Sequence, residues 1–443
     1  MKKRLTSLLL ALTLVCCLSP AASAANFPDV PESHWAYREI SSMAERGIIQ
    51  GSDGKFWPTG DVSRQAFLSM VCRASGLDDR SLEPDANWWQ PSQAYAHYFN
   101  WCTESELNEQ NRSAPITREF AAKLLVKSLF QDRIVYGGTV DFQDWGDVGI
   151  AYRTYVQTAS ELGLIGGYAD GSFRPQGTLT RAAAAALIDR ALTLRQQMLP
   201  SHGETVQVPI LMYHDVSYLG RGYSKTPEIF RQQMEELKNA GFQTVFFSDL
   251  VNFVDHGTPL PEKPIVITFD DGYKTNHTFV LPILQELGMK AEISLIGNAI
   301  IYADWGMRWD DVREMQASGL VRFQAHTKAL HDAAGRTGVL KKADENWEDY
   351  VVLFAEDTRS IRTLLTEQTG TEPQVFTYPL GKHNPVTETM IRQTGFRASL
   401  TTLDGVAEVT CGDPESLYLM NRIGMDFRNG SVLEVLKQFG YQG

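Results

Sequence analysis

A motif order repeated along the first half of this 443-residue chain constrains its folding more than any other feature. Phe27-Pro28-Asp29-Val30, Gly47-Ile48-Ile49, Asp53-Gly54-Lys55-Phe56-Trp57-Pro58 and Ser63-Arg64-Gln65-Ala66-Phe67 follow one another in residues 27–74. The order returns in residues 142–192 as Gly163-Leu164-Ile165, Asp170-Gly171-Ser172-Phe173-Arg174-Pro175 and Thr180-Arg181-Ala182-Ala183. A worn copy between them keeps Ile116-Thr117-Arg118-Glu119-Phe120 but lacks the Asp-Gly turn. Each unit reads as helix, turn, helix, with Ser63, Thr117 and Thr180 as N-caps before apolar-periodic runs. Ala66, Phe67, Met70, Val71 and Ala74 share one helical face that a lone hairpin cannot bury, so the copies must stack.

Residues 1–24 read as a secretory signal: Lys2, Lys3 and Arg4, a short apolar run, then Ala22-Ser23-Ala24. That run is too short for the ~20 residues a bilayer span needs, and no later run is longer. The chain carries a net charge of −12, which disfavours a nucleic-acid partner, and losing the signal leaves it more acidic still. Cys72, Cys102 and Cys411 then remain, odd in number and far apart; they allow one bridge at most and read as three buried thiols.

Residues 196–205 are polar, hold Pro200 and Gly203, and read as a linker to a second domain over 206–443. There, apolar runs at 208–212, 265–269, 291–296, 321–325 and 375–378 alternate with helical stretches at 228–239, 278–287, 347–367 and 385–394. The alternation predicts a parallel sheet covered by helices, with a barrel favoured and reactive groups at the carboxyl ends of strands. Four such ends are chemically loaded. Thr268-Phe269-Asp270-Asp271-Gly272 places two carboxylates side by side, which calls for a nearby cation. His326 and His331 converge only if the chain turns between them, and with one acid they would suit a divalent metal. Tyr213-His214-Asp215 ends the first run, with Asp215 either orienting His214 or capping a helix. Tyr378-Pro379-Leu380-Gly381 bares backbone N–H groups that could hold an oxyanion.

The repeat block, residues 26–195 in units of about 26–80, 82–130 and 140–195, resembles S-layer homology repeats. That resemblance implies an α-helical domain that attaches non-covalently to a secondary cell-wall polysaccharide, with Arg64, Arg118 and Arg181 as contacts and Trp35 as the stacking aromatic. The second block resembles the polysaccharide deacetylase family, the NodB-homology domain or carbohydrate esterase family 4, in the branch that includes poly-N-acetylglucosamine deacetylases. This implies a distorted β/α barrel with Asp270 as general base, His214 as general acid, and Asp271, His326 and His331 holding one divalent metal, zinc by preference. It also implies a substrate groove at Tyr378, Pro379, Leu380 and Arg422, with the Leu380 N–H on the oxyanion. Many members carry a base-orienting arginine where Thr377 stands; Arg422 is the candidate substitute, a surface arginine being the other reading.

The resulting expectation is a multidomain, secreted, cell-wall-attached, metal-dependent hydrolase of N-acetyl groups on N-acetylglucosamine-containing glycan. Two alternatives use the same residues: a wall-glycan-binding surface protein with a weak or inactive barrel, and an O-acetyl esterase of the xylan type.

Overall fold

A computed structural model describes residues 27–441 apart from 78, 80–81, 83–86, 131–132, 135–139, 199–202, 221 and 332. The signal expected at residues 1–24 lies outside them. Among the described residues the repeat region is built of α-helices α1 (Tyr37–Glu45), α2 (Arg64–Ala74), α3 (Gln90–Tyr98), α4 (Arg118–Leu129), α5 (Arg153–Glu161) and α6 (Arg181–Met198). The second helices, α2, α4 and α6, begin at the Ser/Thr-Arg steps and pack on one another through buried Phe67, Leu68, Leu124, Leu125, Ala184 and Ile188. Ser63 and Thr180 accept the expected N-cap bonds from Ala66 N and Ala183 N. Thr117 does not cap with its side chain; the first amides of α4, those of Arg118 and Glu119, go instead to the carbonyls of Gly177 and Pro175.

The repeats are stapled in a ring. Val62 N donates to Leu179 O at 2.9 Å and Ile116 N to Val62 O at 3.0 Å, so the segments before the second helices pair across repeats. The arginine that recurs in each repeat closes onto the next: Arg64 onto Glu106 O, Arg118 onto Phe173 O and Gly166 O, Arg181 onto Phe56 O and Gln50 O. In the two intact turns, Asp29 and Asp144 accept the paired amides of Phe56 and Trp57 and of Phe173 and Arg174.

The expected linker 196–205 is shorter than its composition implied. Helix α6 runs on to Met198, because Arg195-Gln196-Gln197-Met198 are all good helix formers, and a strand, Thr205–Val208, begins before 206. That strand pairs antiparallel with Ala407–Thr410. Beyond it the sheet strands are β1 (Ile210–Tyr213), β2 (Pro264–Phe269), β3 (Ala291–Leu295), β4 (Val321–Ala325), β5 (Val375–Thr377), β6 (Ala398–Leu400) and β7 (Ile423–Gly424). They run parallel in the order β6-β5-β4-β3-β2-β1-β7, a curled sheet, and a further two-residue strand, Gln243–Thr244, pairs parallel with the start of β2. Its edges meet through Met420, whose N–H donates to Ser399 O and whose carbonyl accepts from Thr401 N. Strands β2 and β3 are buried along their whole length, as expected of parallel strands covered on both faces.

Around the sheet lie α7 (Pro227–Asn239), α8 (Phe247–His256), α9 (Leu281–Leu287), α10 (Gly297–Tyr302), α11 (Trp309–Ala317), α12 (Trp347–Thr369), α13 (Pro385–Gln393) and α14 (Val432–Gln438). The helical stretch expected at 278–287 opens with a π-helical turn, Asn276–Val280, before α9. The two halves touch: α3 of the worn repeat packs along α12, where Tyr98 Oη donates to Glu356 and accepts from Arg359 at 2.6 Å. Tyr95 of α3, fully buried, reaches Thr389 O of α13. Cys72 and Cys102 are buried free thiols, whereas Cys411 is only half-buried, so one of the three thiols expected in the core lies nearer the surface.

Candidate active site

Strand β2 delivers its two acids to the sheet mouth in different directions. Asp270 continues the strand, its N–H donating to Tyr213 O, and is buried. Asp271 then takes a left-handed φ of +72° and Gly272 one of +83°. Glycine suits 272 because a φ of +83° strains any residue with a Cβ, which here would also crowd Leu295 Cδ2 at 2.5 Å. The reversal sends the neighbouring carboxylates to separate partners.

Asp270 meets Arg422, which is wholly buried immediately before β7. The guanidinium grips both carboxylate oxygens at 2.8 and 2.7 Å and is itself fixed by Thr401 O at 2.8 Å. Burial alone would raise the Asp270 pKa, but the Arg422 charge and bonds hold it well below the usual carboxylate range. Arg422 is therefore neither a surface arginine nor a groove residue: it orients Asp270 from below. Thr377 spends its hydroxyl on Ser294 at 2.7 Å.

Asp271 Oδ1 is buried, has no hydrogen-bond partner among the described residues, and faces His326 Nε2 at 3.5 Å and His331 Nε2 at 3.4 Å. The chain turns between the histidines at Thr327, whose φ is +69°, and Thr327 Oγ1 accepts from His331 N. Asp357 of α12 secures this turn by accepting the amides of Lys328 and Ala329, both at 2.8 Å. His326 Nδ1 lies 2.8 Å from Thr377 O. A carbonyl can only accept, so Nδ1 bears the proton and Nε2 presents a lone pair. Burial pushes the His326 pKa down to about 4, keeping the ring neutral. One ligand atom from each of Asp271, His326 and His331 falls within 4.8 Å of the others. An orphaned carboxylate oxygen and two imidazole nitrogens at that spacing fit a divalent cation with an open position.

His214 follows β1, and its Nδ1 is 2.7 Å from Asp426 Oδ2, while its N–H donates to Asp426 Oδ1. Against the downward pull of burial, the Asp426 bond and the charge of Asp270 lift its pKa to about 9. Asp215 does not orient His214. It turns into the structure and accepts from Ser217, Ser224 and Thr275, tying the β1 mouth to the loop after Asp271. Asp426 and Asp357 escaped sequence reasoning. Asp426 follows a strand of two residues, too short to show a period, and Asp357 reads as one more polar position in a long helix.

At the β5 mouth, Leu380 has φ +56° and an exposed side chain, with Gly381 N and Lys382 N closing the turn onto Tyr378 O and Pro379 O. Tyr378 and Pro379 are buried, and the Tyr378 hydroxyl donates to Glu388. Their side chains therefore line no groove, because the apolar run that suggested a strand mouth also packs them inward. In the repeats, Trp35 is 66% exposed, but Arg118 is buried and all three arginines are engaged by neighbouring carbonyls.

The polysaccharide deacetylase profile matches residues 257–399, and the S-layer homology domain profile matches residues 26–68 and 141–185. YxkH of Bacillus subtilis (strain 168), provisionally named a polysaccharide deacetylase, is 27% identical over 217 residues, 49% of this chain and 71% of that protein. The poly-beta-1,6-N-acetyl-D-glucosamine N-deacetylase of Escherichia coli (strain K12) is 27% identical over 250 residues, 50% of this chain but only 37% of that protein. A solved structure of the Streptococcus pyogenes deacetylase PplD in complex with acetate is similar with a TM-score of 0.46 and 21% identity, covering 54% of this chain and 100% of that one. Residues 257–399 thus resemble the polysaccharide deacetylases, and they stand behind S-layer homology sequence.

Proposed function

We propose that the protein is a secreted, wall-tethered, metal-dependent deacetylase of N-acetylglucosamine-containing glycan. The observation that carries this reading is the convergence at one sheet mouth of Asp270 on Arg422, His214 on Asp426, and the Asp271–His326–His331 set. Asp271, His326 and His331 would hold the metal, zinc by the chemistry of the donor set. When bound it would supply Lewis-acid polarisation of the acetamide carbonyl and a more acidic water.

The chain's own groups account for the proton traffic. Asp270 takes the proton of the attacking water, with Arg422 fixing the direction of its lone pairs. His214, held protonated at neutral pH by Asp426, delivers a proton to the departing amine. The Leu380 N–H, on its left-handed turn, is the proposed donor to the developing oxyanion. No covalent intermediate forms; the products are acetate and a glucosamine unit. The repeats would bind a cell-wall polymer, with exposed Trp35 as a platform and Arg64, Arg118 and Arg181 as contacts. Among the described residues no helix is long and apolar enough to cross a membrane.

The test is acetate release by the full chain from N-acetylglucosamine oligomers, peptidoglycan and acetylxylan, with and without chelator. Acetate from the first two that ceases on chelation and in Asp271→Ala is expected. Release from acetylxylan alone would make the protein an esterase, and no release from any would leave it a glycan-binding protein.

A further inference from the structure

The two loops that flank His214 expose large apolar side chains. The loop after β1 carries Tyr218, Leu219 and Tyr223, and Asp426 is followed by Phe427, which is 80% exposed. Tyr223 is 38% exposed, and its ring centroid lies 6.2 Å from that of His214. Single exposed apolar residues are ordinary, but a group of them at a reactive mouth marks a ligand surface.

The loops are fixed against each other. Phe427 comes within 3.9 Å of where a Cβ at Gly222 would stand, so its ring lies beside the chain that carries Tyr223. Lys225, two residues beyond Tyr223, is buried and donates to Arg428 O at 2.9 Å and Asn429 Oδ1 at 2.6 Å. A buried ammonium is costly unless it is paired, and here the pairing ties the loop after β7 to the loop after β1. Behind Tyr223 stands the buried ring of Tyr273, at 5.8 Å between centroids, and Trp305 stacks on Tyr273 at 4.6 Å. Tyr273 and Trp305 are support; the exposed rings are Tyr223 and Phe427.

The reaction dictates what those rings meet. His214 protonates the departing amine, so the amine nitrogen comes within about 3 Å of the imidazole. The sugar carbon that bears it is one C–N bond away, about 1.5 Å. The pyranose that loses its acetyl group therefore sits against the part of the mouth that carries Tyr223 and Phe427. A pyranose presents a face of C–H groups, which an aromatic ring covers while the hydroxyls stay in water.

We propose that Tyr223 and Phe427 form the platform for the sugar ring that bears the reacting acetamide. The placement of that ring rests on the reaction proposed above. A lipid surface or a second copy of the chain would use the same patch as plain apolar area, with no need of an aromatic face.

The test titrates the full chain, chelated so that it cannot turn substrate over, with N-acetylglucosamine tetramer by calorimetry, and measures KM and kcat of the metal-loaded protein. Phe427→Ala should weaken tetramer binding by roughly two- to tenfold and raise KM by the same factor with kcat held, because the stacking is shared by ground and transition states. The melting temperature should not move, since the ring is exposed. Tyr223→Ala should weaken binding in the same range, Phe427→Trp should restore it and Phe427→Leu should not. Absence of tetramer binding by the wild type, unchanged binding in Phe427→Ala, or rescue by Phe427→Leu overturns the proposal. A fall in kcat with KM unchanged does so too, because it would make Phe427 a prop for Asp426. Phe427-dependent binding to phosphatidylglycerol vesicles, or a Phe427-dependent dimer, with tetramer affinity unchanged would give the patch to those partners instead. Acetate release by the wild type with Phe427→Ala indistinguishable from it sinks the platform alone; tetramer binding that depends on Phe427 without any acetate release sinks the proposed reaction and leaves a sugar platform.

Discussion

Replacing Arg422 with methionine tests the arrangement of the site most directly. The guanidinium is fully buried and bidentate on a buried carboxylate, at 2.8 and 2.7 Å. Removing one partner of such a pair strands a charge in low dielectric and costs about 3–5 kcal/mol, whereas removing both is often near neutral. In a domain of this size each kcal/mol moves the melting temperature by about 2–4 °C, so Arg422→Met should melt about 6–20 °C lower at pH 7. Adding Asp270→Asn should restore most of that loss. The pH dependence has a definite sign. In the wild type the depressed Asp270 pKa gives stability that is present above the unfolded carboxylate value of about 4 and is lost only as pH falls through the native value. In Arg422→Met burial raises the same pKa, so protonation relieves the strain and the gap to wild type narrows from pH 8 to pH 5. Groups common to both proteins cancel in that difference. Thermal unfolding of wild type, both single variants and the double variant at the two pH values checks it. Additive losses in the double variant, or a gap that widens on acidification, would refute the reasoning.

Asp426→Asn removes the carboxylate charge that helps lift His214 to about 9, so its pKa should fall toward the ordinary 6.5. The protonated fraction, and with it kcat, then drops about 30-fold at pH 8 and little at pH 6, read from the pH–rate profile. Zinc at about 100 times its Kd should add about 2.7 kcal/mol to the stability of the chelated protein, and Asp271→Ala should abolish the rise in melting temperature. Arg181→Ala deletes two charged bonds to Phe56 O and Gln50 O, each 2.7 Å. It should cost about 1–3 kcal/mol and speed hydrogen exchange in residues 50–58 ahead of the sheet domain.

What the sequence made legible follows from where each signal lives. The five apolar runs lie within a residue or two of β1 to β5, because a parallel strand buried on both faces must be apolar along its length, and the residues after each run name the mouth. The repeat motifs were equally plain, but that the arginines read as ligand contacts also staple neighbouring repeats is a fact only the packing discloses. The worn middle repeat shows why a lost motif is ambiguous: its turn is gone, but α3 packs against α12 of the sheet domain. Strands β6 and β7, three and two residues long, leave no period to read.

The shortest strand nonetheless sets the reaction geometry. Arg422 immediately precedes β7 and Asp426 follows it by two residues, one holding the proposed base and the other the proposed acid. Between them Ile423 and Gly424 pair with Leu211 and Met212 of β1, whose far end carries His214, and β1 pairs in turn with β2, which carries Asp270. Three adjacent strands therefore fix the separation of acid from base through backbone bonds, with the metal-ligand set contributed by β2 and the β4 turn. A shift of β7 against β1 by one residue would turn both supporting side chains to the other face at once. Such a shift would release Asp270 and His214 together, so the two proton-transfer groups depend on a single ladder and should fail as a unit.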